Sequence, residues 1–272
     1  MSKSLRDEFP TISEIAYREY QRHTHVGDIM TTTVLTINPE ATMEDAAKIM
    51  GERHVGSLVV AEKEVPAGIV TERDLLSKII AQDKDPAKIK VKDVMSTRLV
   101  TVRPTDTIKD AAQTMIKEKG RLVVLKEGRV TGIITASDLI RTLPKIPETM
   151  IKVDEIMTRK VVTVEPEITV RRAARMMGDM RIGSVLVEDS GKPEGIFTER
   201  DLLTKVLARK LSLETKTGEL ASKPLVTIPT GSSIHKTALM MASRHIRRLP
   251  VVKDGEILGI VTARDLVEAY SR

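Results

Sequence analysis

Apolar residues along the chain alternate between short runs typical of buried strands and stripes typical of amphipathic helices. Residues 34–37 and 58–60 are runs of the first kind. Between them, four residues follow the i, i+3, i+4, i+7 spacing of one buried helical face. They are Met43, Ala46, Ala47 and Met50. A hairpin over residues 63–66 leads to a third strand and a second helix, so the pattern predicts the order β-α-β-β-α.

This pattern recurs four times. An eight-residue stretch that begins with Gly, continues with two apolar residues and ends Thr-x-x-Asp-Leu starts at Gly68, Gly132, Gly195 and Gly259, with threonines 64, 63 and 64 residues apart. We therefore predict an α/β (α+β) fold of four repeats, at residues 26–80, 91–143, 153–207 and 217–270. Repeats 1 and 3 share Thr-Glu-Arg-Asp-Leu-Leu, which indicates duplication of a pair. The predicted domains are thus 26–143 and 153–270.

Residues 1–25 lie outside the repeats. Apolar residues at roughly helical spacing predict an amphipathic arm there, and we hypothesise that it supports a homodimer. His23 and His25 have no third ligand nearby in the sequence, so no metal site is predicted.

Each copy of the eight-residue stretch predicts a strand that runs into a helix. Thr is a favoured N-cap residue, and the free N–H groups of a helix N-terminus bind anions. The Asp of each copy could accept hydrogen bonds from a ribose diol. Capping alone explains a single Thr–Asp pair, but four copies favour a nucleotide site.

Composition narrows the class of protein. The 272 residues are 41% hydrophobic and 30% charged, which is typical of a soluble globular protein. No apolar run is long enough to cross a membrane, and no signal sequence is visible. Zero Cys excludes disulfides and thiol catalysis and fits the cytoplasm. No catalytic triad, Walker loop or metal cluster is present in the sequence, so we predict that the chain is not an enzyme. The low aromatic content, 2%, is thermophile-like.

The net charge of +6 is unevenly distributed along the sequence. Residues 1–143 hold 22 Lys+Arg and 21 Asp+Glu, whereas residues 144–272 hold 22 and 17. Arginines at helix starts and ends of repeats 3 and 4 contribute to this excess. We consider Arg171, Arg172, Arg175 and Arg244 as nucleic-acid contacts, with Arg247 and Arg248 shared with a nucleotide site. A salt bridge to another repeat is the alternative explanation for Arg171 and Arg172.

The repeats resemble the CBS (cystathionine-β-synthase) domain family. The resemblance rests on the Asp-Ile-Met opening at Asp28, the Thr-x-x-x-Ala-Ala helix start at Thr42 and the four Thr-x-x-Asp stretches, and it covers residues 26–270. It implies tandem pairs, called Bateman modules, which stack as a disc and bind AMP, ADP or ATP as ligands. It also implies a regulatory protein that passes the energy state of the cell to a partner.

The resemblance also implies roles for particular residues. The Asp of each motif would hold ribose, and the Thr and basic residues near it would hold phosphate. The ribose candidates are Asp74, Asp138, Asp201 and Asp265. The phosphate candidates are Thr71, Thr135, Thr198 and Thr262, with Arg73, Arg200 and Arg264 beside them. Residues before the second strand join this set: Ser57, Ser184, His54, Arg181, Arg247 and Arg248.

Two other functions remain open from the sequence. The basic second half favours an RNA- or ribosome-binding factor, whose binding could be tuned by nucleotide. Some members of the resembled family bind S-adenosylmethionine, NAD or Mg²⁺ instead, so a sensor of one of these is a third hypothesis.

Overall fold

The computed structural model describes residues 24–63, 65–118, 120–142 and 150–271. The amphipathic arm predicted for residues 1–25 lies almost wholly outside them.

Each repeat contains one three-stranded sheet, in which the first strand is parallel to the second and the second is antiparallel to the third. The predicted α/β fold of four β-α-β-β-α repeats is therefore confirmed. The strands are β1 Thr36–Ile37, β2 Ser57–Glu62, β3 Val65–Thr71, β4 Val100–Val102, β5 Leu122–Lys126, β6 Arg129–Ile134, β7 Thr163–Val164, β8 Ser184–Asp189, β9 Lys192–Thr198, β10 Ile228–Pro229, β11 Arg248–Lys253 and β12 Glu256–Thr262.

Each repeat has one helix between its first two strands and another after its third. After β3 and β9 a single α-helical turn continues as a π-helix, at Leu75–Ile79 and Leu202–Leu207, whereas repeats 2 and 4 keep α-helices there. Short helices also open the repeats. The α-helices are α1 Val26–Ile29, α2 Met43–Glu52, α3 Glu72–Asp74, α4 Ile108–Glu118, α5 Ala136–Thr142, α6 Val153–Ile156, α7 Val170–Asp179, α8 Glu199–Asp201, α9 Thr217–Leu220, α10 Ile234–Arg244 and α11 Ala263–Ser271.

The hairpins between second and third strands turn through left-handed backbone. Asp254 and Gly255 have φ of 52° and 88°, and the same pair of positive angles occurs at Glu127–Gly128 and Ser190–Gly191. Two positive φ values in a two-residue loop match the right-handed twist of the flanking strands. In repeat 1, β3 begins at Val65, within the turn predicted over residues 63–66.

Packing divides the chain into two compact units. The odd unit holds residues 34–99 and 161–226, which are the bodies of repeats 1 and 3. The even unit holds residues 1–33, 100–160 and 227–272, which include the bodies of repeats 2 and 4. Packing therefore joins alternate repeats, 1 with 3 and 2 with 4. The stacking of Bateman modules as a disc stays a prediction.

The leading segment, which is the first part of each repeat, bonds to the sheet of a different repeat. Residues 26–33 begin repeat 1, yet Thr31 bridges to Ile133 of repeat 2. Residues 91–99 begin repeat 2, yet Ser96 bridges to Ile69 of repeat 1. The bridges Thr158 to Ile260 and Ile196 to Ser222 repeat this exchange for repeats 3 and 4. Leading segments are thus exchanged between repeats 1 and 2 and between repeats 3 and 4. The division into domains 26–143 and 153–270 stays a prediction.

This exchange explains the glycine that begins each Thr-x-x-Asp stretch. A Cβ atom on Gly68 would lie 2.7 Å from the Ser96 carbonyl oxygen, and one on Gly132 would lie 2.5 Å from Met30 Sδ. Gly195 and Gly259 face the leading segments of repeats 4 and 3 in the same way. The glycine is required because the exchanged backbone passes directly over the strand.

An ion-paired cluster also holds the second leading segment in place. Lys90 and Lys92 each donate to Glu40 at 2.6 Å. These hydrogen bonds, from Lys90 first and then Lys92, lower the pKa of the Glu40 carboxyl to about 2.

The odd unit buries its core between the helices of repeats 1 and 3. Met43, Met50 and Phe197 are fully buried there. Gly51 contacts Ala208, and Gly178 contacts Ala81, so closely that neither glycine has room for a Cβ atom. Small residues on both sides let these helices approach each other. The predicted methionine stripe of repeat 1 is thus core.

Candidate functional site

In all four repeats the Thr and Asp of the motif form one capping pair. The Asp Oδ2 atom accepts from the Thr backbone N–H at 2.7–2.9 Å and from the Thr hydroxyl at 2.6–2.8 Å. The capping that the sequence predicted is present, and it uses one oxygen of each carboxylate and the proton of each hydroxyl. The second oxygen, Oδ1, remains for other partners.

Strand pairing places predicted phosphate contacts opposite three of these threonines. Ser57 is the register partner of Thr71, Ser184 of Thr198 and Arg248 of Thr262. Directly opposed residues of antiparallel strands project to the same face of a sheet. The structure therefore brings Ser57, Ser184 and Arg248 beside the capped helix starts.

Arg247 marks the turn that precedes this strand in repeat 4. Its carbonyl oxygen accepts from the Ala263 backbone N–H at 2.9 Å, one residue after Thr262. Arg244 ends α10 and is exposed. Repeat 4 thus gathers Arg244, Arg247 and Arg248 in one short stretch near its capping pair.

His54 and Arg181 lie in the turn between the first helix and the second strand of repeats 1 and 3. Both have left-handed backbone, with φ of 53° and 55°, two residues after the end of that helix. Their carbonyl oxygens accept hydrogen bonds from arginines of the other repeat: Arg200 donates to His54 at 3.1 Å and Arg73 donates to Arg181 at 3.2 Å.

The same two arginines pair with buried glutamates across the odd unit. Arg73 lies 3.0 Å from Glu199, and Arg200 lies 3.3 Å from Glu72, whereas both glutamates are almost fully buried. These contacts favour a structural role for Arg73 and Arg200, because each already neutralises a carboxylate within the unit. Arg264 instead donates to the Ile116 carbonyl oxygen at 3.0 Å.

The even unit lacks these glutamates. Ala136 and Ala263 occupy the positions that correspond to Glu72 and Glu199. When residues are counted by packing unit, the odd unit holds 21 Lys+Arg and 21 Asp+Glu, and the even unit holds 23 and 17. The whole formal excess of +6 therefore belongs to the even unit. Comparing residues 1–143 with residues 144–272 did not reveal this separation of charge, because each half of the sequence contains parts of both units.

The arginines considered for nucleic acid belong to different units. Arg171, Arg172 and Arg175 lie in the odd unit, whereas Arg244 lies in the even unit. Arg171 pairs with Asp83, just after repeat 1, at 3.0 Å and with Glu214 at 2.7 Å, and Arg175 also pairs with Asp83. Arg171 is thus held by salt bridges outside its own repeat, as in the alternative explanation, but to the segments that follow repeats 1 and 3. The Arg172 side chain is exposed.

Three cations of the site were missed by the sequence prediction. Lys78 lies 2.7 Å from Asp74 Oδ1, Lys205 lies 2.6 Å from Asp201 Oδ1, and Arg141 pairs with Asp138 Oδ1. These pairs could have been predicted from the spacing in the sequence, because residues three or four apart are neighbours on a helix. Repeat 4 departs from this arrangement, since Glu268 and Ala269 follow Asp265 at those spacings.

Asp265 has a correspondingly different environment. Among the residues that the structure describes, no cation lies within ion-pair distance of its carboxylate. Burial raises the pKa of the Asp265 carboxyl above its ordinary value, against the hydrogen bonds from Thr262, which lower it.

Comparison with known proteins identifies the repeats. A family model for the CBS domain matches residues 26–81, 91–145, 153–208 and 218–272. The chain belongs to the CBS domain family. The resemblance inferred from the motifs is therefore confirmed, and four CBS repeats are consistent with two Bateman modules.

The relatives are mostly uncharacterised. Protein MJ1404 of Methanocaldococcus jannaschii is 31% identical over 262 residues, which cover 89% of this chain and 61% of the relative. This chain thus spans about three fifths of that relative's length. Protein MJ1225 of the same organism is 28% identical over 192 residues, which cover 65% of this chain and 68% of that protein.

Solved structures support the fold. The crystal structure of MJ1225, a protein proposed as an archaeal homolog of g-AMPK, covers 91% of this chain and 100% of its own with a TM-score of 0.77 and 23% identity. An uncharacterized conserved protein from Pyrococcus horikoshii covers the same shares, with a TM-score of 0.64 and 24% identity. At these identities the similarity shows the fold alone.

Two searches of the described residues gave negative results. None of their helices is long and apolar enough to span a membrane. No group of three or more His, Cys, Asp or Glu side chains among them is arranged to hold a metal ion.

Proposed function

We propose that this CBS protein is a non-catalytic cytoplasmic regulator that binds AMP, ADP or ATP and passes the energy state to a partner. The observation that carries the proposal is the basic even unit, where Arg247 and Arg248 adjoin the capped helix start at Thr262. Polyphosphates are anions, and arginine forms paired hydrogen bonds with phosphate oxygens. The neighbouring Asp265 carboxylate supplies acceptors for ribose hydroxyls.

Calorimetry on the whole chain tests this proposal. We expect AMP, ADP or ATP to bind with a Kd at or below roughly 100 µM, about −5.5 kcal/mol. Saturating nucleotide should also raise the melting temperature, because a ligand that binds only the folded state stabilises it. S-adenosylmethionine, NAD and Mg²⁺ belong in the same panel, since each is an alternative ligand. Absence of heat and of stabilisation with all three adenine nucleotides would refute the proposal.

Arginine variants separate phosphate recognition from general attraction. The double change Arg247→Gln and Arg248→Gln should weaken ATP binding at least tenfold and AMP binding less, because AMP has fewer phosphates to contact. Arg172→Gln is the matched control, since it removes the same kind of charge from an exposed side chain in the odd unit. Equal losses in the double variant and the control would point to non-specific electrostatics.

Nucleic-acid binding stays a prediction with narrower support. Arg171 and Arg175 form ion pairs within the odd unit, which makes them weaker candidates for RNA phosphates. The excess positive charge of the even unit is therefore the main remaining argument for RNA binding. If RNA or ribosomes bind, affinity should fall steeply with salt, with a log–log slope near −0.7 per phosphate contact on single strands. Sedimentation with ribosomes at low salt, with and without ATP, tests this. A chain that stays in the supernatant under both conditions would favour a protein partner.

A further inference from the structure

The four Thr-x-x-Asp carboxylates differ in the oxygen that they leave for a ligand. Oδ2 is used for capping in every repeat, so only Oδ1 can accept a ribose hydroxyl without breaking the cap. The partners of Oδ1 therefore decide whether a repeat offers a ready ribose subsite.

In the odd unit this oxygen is bonded to a lysine of the same helix. Lys78 Nζ bonds Asp74 Oδ1 and the Val94 carbonyl oxygen, both at 2.7 Å. Lys205 Nζ bonds Asp201 Oδ1 at 2.6 Å and the Leu220 carbonyl oxygen at 2.8 Å. Each lysine thus joins the carboxylate to a leading segment.

Further bonds add to the closure of repeat 3. The Ser222 hydroxyl donates to Asp201 Oδ1 at 2.9 Å, and the Asp201 side chain is 7% exposed. A neutral ribose hydroxyl would have to displace an ammonium group and a serine from this oxygen. The ammonium group bonds the carboxylate as an opposite charge, whereas a ribose hydroxyl is a neutral donor, so the exchange is unfavourable.

The two repeats of the even unit differ from each other. In repeat 2, Arg141 pairs with Asp138 Oδ1 and also donates to the Ser137 carbonyl oxygen at 3.2 Å. In repeat 4 the equivalent of Arg141 is Glu268, which repels a carboxylate rather than pairing with it. Within the described part of the chain, Asp265 Oδ1 has no hydrogen-bond or ion-pair partner.

We propose that Asp265 is the ribose-binding carboxylate of the first nucleotide site to fill, and that Lys78, Arg141 and Lys205 compete with ribose for the aspartates of the other three repeats. The inference rests on the proposed function and deepens it. The residue three or four places after each Asp then determines which repeat binds ligand.

Titration calorimetry with ATP on the full chain tests the assignment. The wild type should show one tight site per chain. Asp265→Asn should weaken that site at least tenfold, because a neutral amide replaces one acceptor oxygen by a donor. Asp254→Asn is the control, since it makes the same change of charge at a hairpin tip in the same repeat, where Asn tolerates left-handed backbone.

Two variants in the even unit test the role of the residue three places after the motif aspartate, which is Arg141 in repeat 2 and Glu268 in repeat 4. Glu268→Arg should place a cation at the spacing of Arg141 from Asp138 and weaken tight binding at least tenfold. Arg141→Ala should free Asp138 Oδ1 and add a second binding site. Circular dichroism melts establish that each variant is folded, and Arg141→Ala keeps the inference testable if Glu268→Arg does not fold.

The outcomes are distinguishable. If wild-type protein binds no adenine nucleotide, both this inference and the proposed function fail. If it binds but Asp265→Asn leaves tight binding unchanged, or Asp201→Asn removes it, the proposed function stands and the assignment to repeat 4 is wrong. Two or more equivalent tight sites in the wild type would also overturn the assignment.

Discussion

The odd and even units are built from the same repeat but handle charge in opposite ways. In the odd unit, Arg73 and Arg200 neutralise two buried glutamates, and the unit has no formal net charge. In the even unit alanines replace those glutamates, and the unit carries the entire excess of +6. The difference teaches that one fold can pair its charges internally in one place and carry an unbalanced positive charge in another.

The largest effect should come from breaking one of the ion pairs that join repeats 1 and 3 within the odd unit. Arg73→Ala leaves Glu199 buried without its arginine, so we expect a loss of about 2–3 kcal/mol in the free energy of unfolding. The value is below that for a fully buried pair because about half of the Arg73 side chain is solvated.

The matched variant in the even unit is Arg264→Ala. It removes hydrogen bonds to carbonyl oxygens but leaves no buried carboxylate unpaired, so we expect about 1 kcal/mol. Urea denaturation of both variants gives the comparison. Equal losses would show that the buried glutamates do not distinguish the two units.

The close helix contact of the odd unit should be nearly as sensitive. Gly51→Ala places a methyl group against the Ala208 side chain, and we expect a loss of about 2 kcal/mol from overpacking. Ala208→Gly in the same molecule should restore part of the stability, because it removes the opposing methyl group. A double-mutant cycle by thermal or urea unfolding measures this coupling. Strict additivity of the two changes would contradict direct contact.

The pH dependence of nucleotide binding should report the environment of Asp265. The ionised carboxylate is the better acceptor for ribose hydroxyls, so binding should weaken as pH falls through the Asp265 pKa. Burial, the repulsion of Glu268 and the opposing attraction of Arg264 act on this group, and its pKa is raised overall. The loss should therefore begin at a higher pH than for an ordinary Asp, and approach about 1.4 kcal/mol per pH unit well below the pKa.

The phosphates of the nucleotide also titrate, so they contribute to the pH dependence of binding. They contribute equally in the Asp265→Asn variant, and the difference between the two profiles isolates the contribution of Asp265. The wild type should lose affinity for ATP more steeply than the variant over the acid range. Parallel profiles from calorimetry at several pH values would show that Asp265 does not contact the ligand.

The smallest effect concerns a buried hydroxyl of the odd unit. Thr217 Oγ1 is buried, and no residue that the structure describes forms a hydrogen bond with it. It stands at the position where repeats 1, 2 and 3 have Val26, Val91 and Val153. Thr217→Val should stabilise the chain by about 1 kcal/mol, because it removes an unsatisfied polar group without changing the shape of the side chain. Val153→Thr in the even unit is the reverse control and should destabilise by a similar amount. A lower melting temperature for Thr217→Val would contradict this prediction.

The sequence by itself determined the order of elements within each repeat and the capping pair at each Thr-x-x-Asp motif. Hydrophobic spacing predicted the β-α-β-β-α order, and the Thr-x-x-Asp stretches predicted the capping pairs, since their partners are three residues apart. The same local geometry could have revealed Lys78, Lys205 and Arg141, which lie within one helical turn of their aspartates.

Tertiary structure alone decided the contacts between distant residues. Periodicity does not encode which repeat a leading segment joins, so the exchange that requires Gly68 and Gly132 was not predictable from one sequence. It also does not show that Arg73 reaches a glutamate 126 residues away, or that charge segregates by packing unit. These features depend on long-range packing of chemically similar repeats, where local pattern is the same and only the neighbours differ.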